Sequence, residues 1–325
     1  MSILVAARNE EANIEACLEA LLAQNYPLEL LEIWVGNDHS EDATAMIVHT
    51  FSDKFPHIFL LNIDRELGLA KGKANVLAHL AERASGQVLL IADADVRPNP
   101  NWVQNMLQGF DSPKIGLVNG TTLPVTGNLF QILQAMDWLL AQAIIRFLHL
   151  CGIDYTAVGN NMAITKAAYQ ATGGYENIPF SITEDLALYE AAKAKGFKLN
   201  HLYSKKVLAT TLPMKTWSQL MQQRVRWMHG AGNLPLWQQT PLFLQMLFLP
   251  MLVFIAFQGG LGLGISILAV RWALFSLAWG IVGQWRFLVF LPLFELYAFV
   301  LYWHTVADFY AKKPVVWKGR TYTAQ

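Results

Sequence analysis

The chain has 325 residues, of which 54% are hydrophobic and only 15% charged, with 24 basic and 24 acidic side chains. That balance is too apolar for an ordinary soluble domain and is expected where part of a chain sits in lipid. The neutrality hides two pieces: residues 1–240 carry 18 basic and 22 acidic groups, whereas residues 241–325 carry 6 and 2. No basic stripe with interleaved aromatics occurs in the first piece, which argues against nucleic-acid recognition. Cys17 and Cys151 lie far apart and outside any C-x-x-C or Cys/His cluster, so they read as free thiols in a reducing compartment. The eight histidines show no H-E-x-x-H spacing, which leaves oxygen ligands for any metal.

In chain order, Met1 runs directly into Ser2-Ile3-Leu4-Val5-Ala6, which reads as a buried strand rather than a signal peptide. Further strands are predicted at 31–36, 57–62, 87–92 and 115–119, with helices near 11–24, 41–53, 70–84 and 100–110 between them. Strands separated by helix-length connections make βαβ units, so the fold class is α/β, with a mostly parallel sheet and helices on both faces. Ligands of such sheets bind beyond the carboxyl ends of the strands. The polar clusters Arg8-Asn9-Glu10, Asn37-Asp38 and Asp93-Ala94-Asp95 fall at those ends.

A long helix is predicted over 127–149, then a strand near 157–165, a helix opening at Thr183-Glu184-Asp185 and a strand within 196–203. Residues 216–230 place Trp217, Leu220, Met221, Val225 and Met228 on one side and Gln and Arg on the other. That pattern suits an amphipathic helix at a membrane interface, or one packed on the soluble domain. Domain 1–230 would end there. No Asp, Glu, Lys or Arg occurs between 227 and 270, and the apolar blocks 241–257, 259–282 and 287–304 offer two to three membrane helices within 241–309. The tail 310–325 carries Lys312, Lys313, Lys318 and Arg320, favouring a cytoplasmic C-terminus. A cytoplasmic catalytic domain would then need an even number of crossings.

Asp93 and Asp95 close an apolar strand. Carboxylates at i and i+2 lie on one side of an extended chain, so both can meet one hard divalent cation, Mg²⁺ or Mn²⁺, that neutralises a departing diphosphate; an ordinary turn opened by Asp is the alternative. Glu184 and Asp185 in a first helical turn answer the helix dipole, and a carboxylate held there also serves as a general base. Gln223, Arg226 and Trp227 form Q-x-x-R-W: Arg grips a diphosphate, Gln reaches a phosphate or acceptor, and Trp stacks on a sugar ring, unless the helix only anchors to a membrane. Asp38 is placed to accept a hydrogen bond from a nucleotide base, with Ser40 as a cap of the next helix. Lys71 and Lys73 sit where they can approach a nucleotide. Gly68 and Gly72 form neither G-x-G-x-x-G nor a Walker loop.

Taken in order, Ala-Arg-Asn-Glu-Glu, Asn-Asp-His-Ser-Glu-Asp, Lys-Gly-Lys-Ala, Asp-Ala-Asp, Gly-Asn-Asn-Met (159–162), Gly-Gly-Tyr (173–175), Thr-Glu-Asp and Gln-x-x-Arg-Trp resemble the inverting family 2 glycosyltransferases of GT-A fold over residues 2–230. The tail Trp317-Lys318-Gly319-Arg320 is similar to one in membrane-bound members, among them ceramide glucosyltransferase-like and cellulose synthase-like enzymes. The resemblance implies nucleotide contacts from Glu10, Asp38, Lys73 and Asp93, a metal ligand in Asp95, general base catalysis by Asp185, and diphosphate or acceptor contacts from Gln223, Arg226 and Trp227. It implies a UDP-sugar donor. Asn37 departs from the pattern, since many members carry a second Asp there.

These readings converge on a membrane-bound hexosyltransferase with its catalytic domain on the cytoplasmic face of the inner membrane. Its expected partners are a nucleotide-sugar donor, a lipid or glycan acceptor and the bilayer, without nucleic acid. A lipid acceptor is favoured, because two or three helices offer little material for a polymer channel. A processive polysaccharide synthase is the alternative, and a non-catalytic nucleotide-sugar-binding scaffold is the rival of another class.

Overall fold

The computed structural model describes residues 1–325 apart from 154, 232–235, 313–314, 318–319 and 323–325. Of the tail motif, Lys318 and Gly319 therefore lie outside the described residues, as does Lys313. The chain forms two compact units, residues 1–123 with 145–212, and residues 124–144 with 213–325.

In the first unit the strands are β1 (Ser2–Ala7), β2 (Glu32–Asn37), β3 (Ile58–Asn62), β4 (Val88–Asp93), β5 (Arg97–Pro98), β6 (Ile115–Asn119), β7 (Thr121–Pro124), β8 (Asn161–Thr165), β9 (Lys198–His201) and β10 (Leu208–Thr211). Among the described residues one sheet runs β3-β2-β1-β4-β8-β6-β9 and a smaller one runs β5-β10-β7. The first four strands pair in parallel, β8 is antiparallel to both β4 and β6, and β6 pairs in parallel with β9. The larger sheet is thus mostly parallel, and its strands fall within a few residues of their predicted places, whereas β5, β7 and β10 of the smaller sheet were not predicted.

Successive side chains of a strand point to opposite faces, which divides the core in two. Ile3, Val5, Ile33, Val35 and Leu90 pack under α1 (Ile14–Leu22), α2 (Thr44–Lys54) and α4 (Trp102–Leu107). Leu4, Leu89, Ile91 and Ile164 pack under α3 (Lys73–Arg83), α6 (Lys166–Thr172) and α7 (Glu184–Ala194). Strands covered on both faces must read as continuous apolar runs, as 2–6 and 88–92 do. Gly36 in β2 lets α3 come close, because a Cβ there would overlap the Val76 side chain. Close approach of α3 fixes its first residue, Lys73, at the carboxyl edge of the sheet.

The second unit holds α8 (Trp217–Ala231), α9 (Leu236–Phe257), α10 (Leu261–Ile281) and α11 (Leu291–Tyr310), together with the first part of α5 (Leu129–Leu150). Three stretches, Gln239–Phe257, Leu261–Ile281 and Trp285–Tyr310, are long and apolar enough to cross a membrane. Only 11% of the residues in each of the first two apolar windows are buried within the protein. Leu247, Phe254, Leu263 and Leu277 are exposed. Arg271 donates to Glu295 at 2.8 Å and to Gln245 at 2.7 Å, which ties α10 to α11 and α9.

The outward polar face predicted for α8 needs correction. Gln223 and Arg224 are each only 6% exposed, because Arg224 meets Asp137 of α5 at 2.6 Å and its charge is neutralised inside the protein.

Candidate active site

The predicted clusters stand where β1, β2 and β4 end. After β1, Asn9 takes a positive φ of 53° and its side chain accepts from the Glu41 amide at 2.9 Å. Ser40 accepts from the Asn9 amide at 3.0 Å rather than capping α2, which begins only at Thr44. The Glu10 amide donates to Thr44 Oγ1 at 2.8 Å, and its carboxylate accepts from Asn13 at 2.7 Å. Asp38 lies 3.8 Å from Arg8 with its side chain 10% exposed. Asn37 donates to Asn62 Oδ1 at 2.8 Å and accepts from the Ser40 amide at 3.2 Å. A carboxylate could not donate, which accounts for Asn where an Asp is common in the enzymes this chain resembles.

Asp93 ends β4, and the chain turns at once, with the Val96 amide donating to the Asp93 carbonyl at 3.0 Å. Asp95 therefore sits in a turn and not, as expected, on an extended strand. Its Oδ2 accepts from Thr211 of β10 at 2.9 Å. Beneath lies Cys17, whose buried thiol donates to the Asp93 carbonyl at 3.7 Å. Burial, and then the charges of Asp95, Asp93 and Glu10, push that thiol far above its usual range. Cys17 is thus held as an unreactive thiol.

Lys73 joins this group to the other predicted acids. Its Nζ lies 2.6 Å from Asp93 Oδ1 and 2.8 Å from Glu184 Oε1. Burial works against its charge, but the two carboxylates outweigh that and hold the ammonium protonated well beyond its ordinary range. Next to Glu184, Asp185 accepts from the Gly159 amide at 2.7 Å and the Leu186 amide at 2.9 Å. Burial first, and then the neighbouring Glu184 charge, push its carboxyl up to about 6. Of the two acids in Thr-Glu-Asp, Glu184 is occupied by an ion pair with Lys73, whereas the Asp185 carboxyl is raised to about 6.

The remaining motifs acquire different duties. Gly159 serves Asp185 directly, while Asn161 is fully buried, accepting from Trp102 Nε1 at 2.8 Å and donating to the Thr121 and Val207 carbonyls. Tyr175 of Gly-Gly-Tyr is buried, and its hydroxyl is pushed up by burial and then by Glu184, Tyr169, Asp185 and Asp93. Its neighbours were not legible in the sequence.

Among the described residues no group of three or more His, Cys, Asp or Glu side chains is arranged to hold a metal. Asp93 Oδ1 is engaged by Lys73 and Asp95 Oδ2 by Thr211; a cation of the magnesium kind needs only one or two carboxylates and takes its remaining oxygens from substrate phosphates and water.

The Q-x-x-R-W residues lie on α8 in the second unit. Gln223 Oε1 accepts from Arg224 Nη1 at 2.8 Å. The Arg224 guanidinium lies 4.3 Å from the Trp227 ring centre, and Trp138 of α5 meets that ring edge-on at 5.0 Å. Arg226 is half-buried. Asp137, the one carboxylate within 127–149, was not legible in the sequence as the partner of Arg224.

The chain matches the model of Glycosyl transferase family 21 over residues 1–325. It is similar to the probable glycosyltransferase YdaM of Bacillus subtilis, 27% identical over 245 residues, which cover 71% of this chain and 54% of that protein. It is also similar to the beta-monoglucosyldiacylglycerol synthase of Synechocystis, 25% identical over 233 residues, 70% of this chain and 47% of that protein. The chain thus spans about half the length of these curated relatives. Among solved structures, a mannosyltransferase of Pyrobaculum calidifontis in complex with GDP-mannose and Mn²⁺ superposes with a TM-score of 0.59 at 17% identity. The match covers 96% of this chain and 87% of that one, and it shows the GT-A-like fold.

Proposed function

The chain belongs to glycosyl transferase family 21, and on that footing we propose that it moves a hexose from a UDP-sugar to the hydroxyl of a membrane lipid, with inversion at the anomeric carbon. One observation carries the reading: Lys73 bridges Asp93 at 2.6 Å and Glu184 at 2.8 Å, so the diphosphate end and the base end of the site meet within one compact unit. In the single displacement, Asp185 takes the acceptor proton as the hydroxyl oxygen bonds to the anomeric carbon. The bond from that carbon to the diphosphate breaks, and UDP leaves with the electron pair.

Glu10, Asp38 and Lys73 contact the nucleotide, and Asp93 contacts its ribose or phosphate. Asp95, with Asp93, would hold Mg²⁺ or Mn²⁺, which supplies positive charge for the departing diphosphate. Gln223, Arg226 and Trp227 contribute diphosphate or acceptor contacts. The lipid acceptor is supported by three candidate spans and by the resemblance to a synthase named for glucosyldiacylglycerol. The catalytic unit is cytoplasmic, on the same side as the basic tail, so an even number of the three candidate helices cross.

The reading is tested on full-length protein in vesicles containing diacylglycerol, by measuring UDP release from UDP-glucose with and without Mn²⁺. Release that depends on Mn²⁺ and is lost in Asp185→Asn and Asp95→Asn is expected. Binding of the nucleotide-sugar with no turnover on any lipid hydroxyl would favour the scaffold, and activity surviving in Asp185→Asn would remove that residue from its role.

A further inference from the structure

The tyrosine of Gly-Gly-Tyr carries a polar group that the free protein does not use. Its backbone turn, Tyr175–Asn177, is tied down on two sides: the Tyr175 amide donates to the Tyr169 hydroxyl at 3.1 Å, and the Glu176 carbonyl accepts from the Leu69 amide at 2.8 Å. Tyr169 in turn donates to Glu176 Oε2 at 3.4 Å and meets the Tyr175 ring edge-on at 5.8 Å. The Tyr175 side chain lies in the core that Ala70 and Ala74, around the start of α3, form with Leu188 of α7. The first turns of those two helices carry Lys73 and Glu184, and all of these residues belong to the first compact unit.

Tyr175 is only 3% exposed, and its hydroxyl has no hydrogen-bond partner among the described residues. A buried donor left unsatisfied is costly, and phenylalanine would fill the same space without it. Burial pushes the hydroxyl well up, and of the surrounding charges that of Glu184 acts on it most, ahead of Tyr169, Asp185 and Asp93. The Glu184 side chain is itself only 11% exposed and is paired with Lys73 at 2.8 Å. Resting on the reading of Lys73 as a nucleotide contact, we propose that Tyr175 is a positioning residue: as a bound diphosphate draws Lys73 off Glu184, the Tyr175 hydroxyl donates to the Glu184 carboxylate in its place. Lysine suits such an exchange, being a point charge on a flexible stem. A carboxylate stripped of its partner at that depth would be strongly unfavourable. The replacement donor therefore lets Lys73 follow the phosphates while Glu184 stays fixed beside Asp185.

The test compares the full chain in detergent with Tyr175→Phe, Glu184→Gln and the double variant, by thermal melting without nucleotide and by calorimetric titration of UDP in the presence of Mn²⁺. Tyr175→Phe removes only the orphaned hydroxyl, so it should melt at or above the wild-type temperature. It should bind UDP about tenfold or more weakly, the loss that accompanies one missing hydrogen bond to a charged group. Uridine, which has no diphosphate to draw Lys73 away, should bind as it does to the wild type. In the Glu184→Gln background no carboxylate charge needs a new partner, so the same substitution should leave UDP affinity where it was, and the cycle isolates the pair. Wild-type UDP affinity in Tyr175→Phe, or an equal loss in both backgrounds or for uridine, overturns the inference while the sugar-transfer reading stands. Melting of Tyr175→Phe well below the wild type would reveal a partner in the free protein and overturn it too. Failure of the wild-type protein itself to bind UDP overturns that reading and this inference with it.

Discussion

Replacing Gly159 by alanine perturbs the proposed base through one atom. A Cβ at 159 would lie 2.8 Å from Asp185 Cβ and 3.0 Å from its Oδ2, so the carboxylate must move away from the amide it now meets at 2.7 Å. That hydrogen bond favours the ionised form and counteracts the burial that lifts the carboxyl to about 6. A hydrogen bond to a charged group contributes about 1.5–3 kcal/mol, so its loss should raise the carboxyl by about one to two further units. The sign follows from the role: a general base works only when ionised, so turnover falls as pH drops through the carboxyl value. Wild-type kcat/KM should therefore decline below about 6, and the Gly159→Ala limb should move up to about 7–8. Misplacement of the base by about 1 Å adds a loss on the order of 100-fold that persists above the limb. The assay is UDP release against pH from 5 to about 9, where ionisation and misplacement separate because only the former recovers in alkali. An acid limb unmoved in Gly159→Ala, with unchanged kcat, would refute the assignment of Asp185 and the purpose given to its amide.

Other expectations concern the same network and the membrane. Lys73→Met leaves Asp93 and Glu184 facing each other without their ammonium; melting should report a loss of about 1–3 kcal/mol, between the values for exposed and buried pairs. Because Lys73 also holds Asp185 down, the acid limb of the variant should rise, and a limb that stays in place would contradict the shared site. Asn37→Asp replaces the donor to Asn62 by a second acceptor and should destabilise by about 1–3 kcal/mol in urea unfolding; an unchanged midpoint would show that the amide pair contributes nothing. Cys151 is exposed and Cys17 buried. A membrane-impermeant maleimide should thus label Cys151 in lysed but not in intact cells, and labelling of intact cells would place the catalytic unit on the outer side.

Legibility in the sequence followed the range of the interactions involved. Period and turn chemistry are local, so the βαβ order, the apolar blocks and the clusters ending β1, β2 and β4 could be read from neighbours along the chain. The errors arose where a partner was distant. Asp95 was expected on an extended strand but lies in a turn, closed by a backbone bond and held by Thr211 of β10, more than a hundred residues away. Helical periodicity puts the Gln and Arg side chains of 216–230 on a polar face, whereas Arg224 is buried against Asp137 of α5.

By itself the sequence determined an α/β unit with acids at its strand ends and a charge-poor C-terminal region, since periodicity and composition depend only on adjacent residues. Tertiary structure alone decided how the two acids of Thr-Glu-Asp differ. Lys73 draws Asp93 and Glu184 into an ion pair and leaves Asp185, cradled by the Gly159 amide, with a carboxyl near neutrality. The physical reason is that proton affinity depends on burial and on charges within a few ångströms, and those distances exist only once separate strands and helices have been brought together.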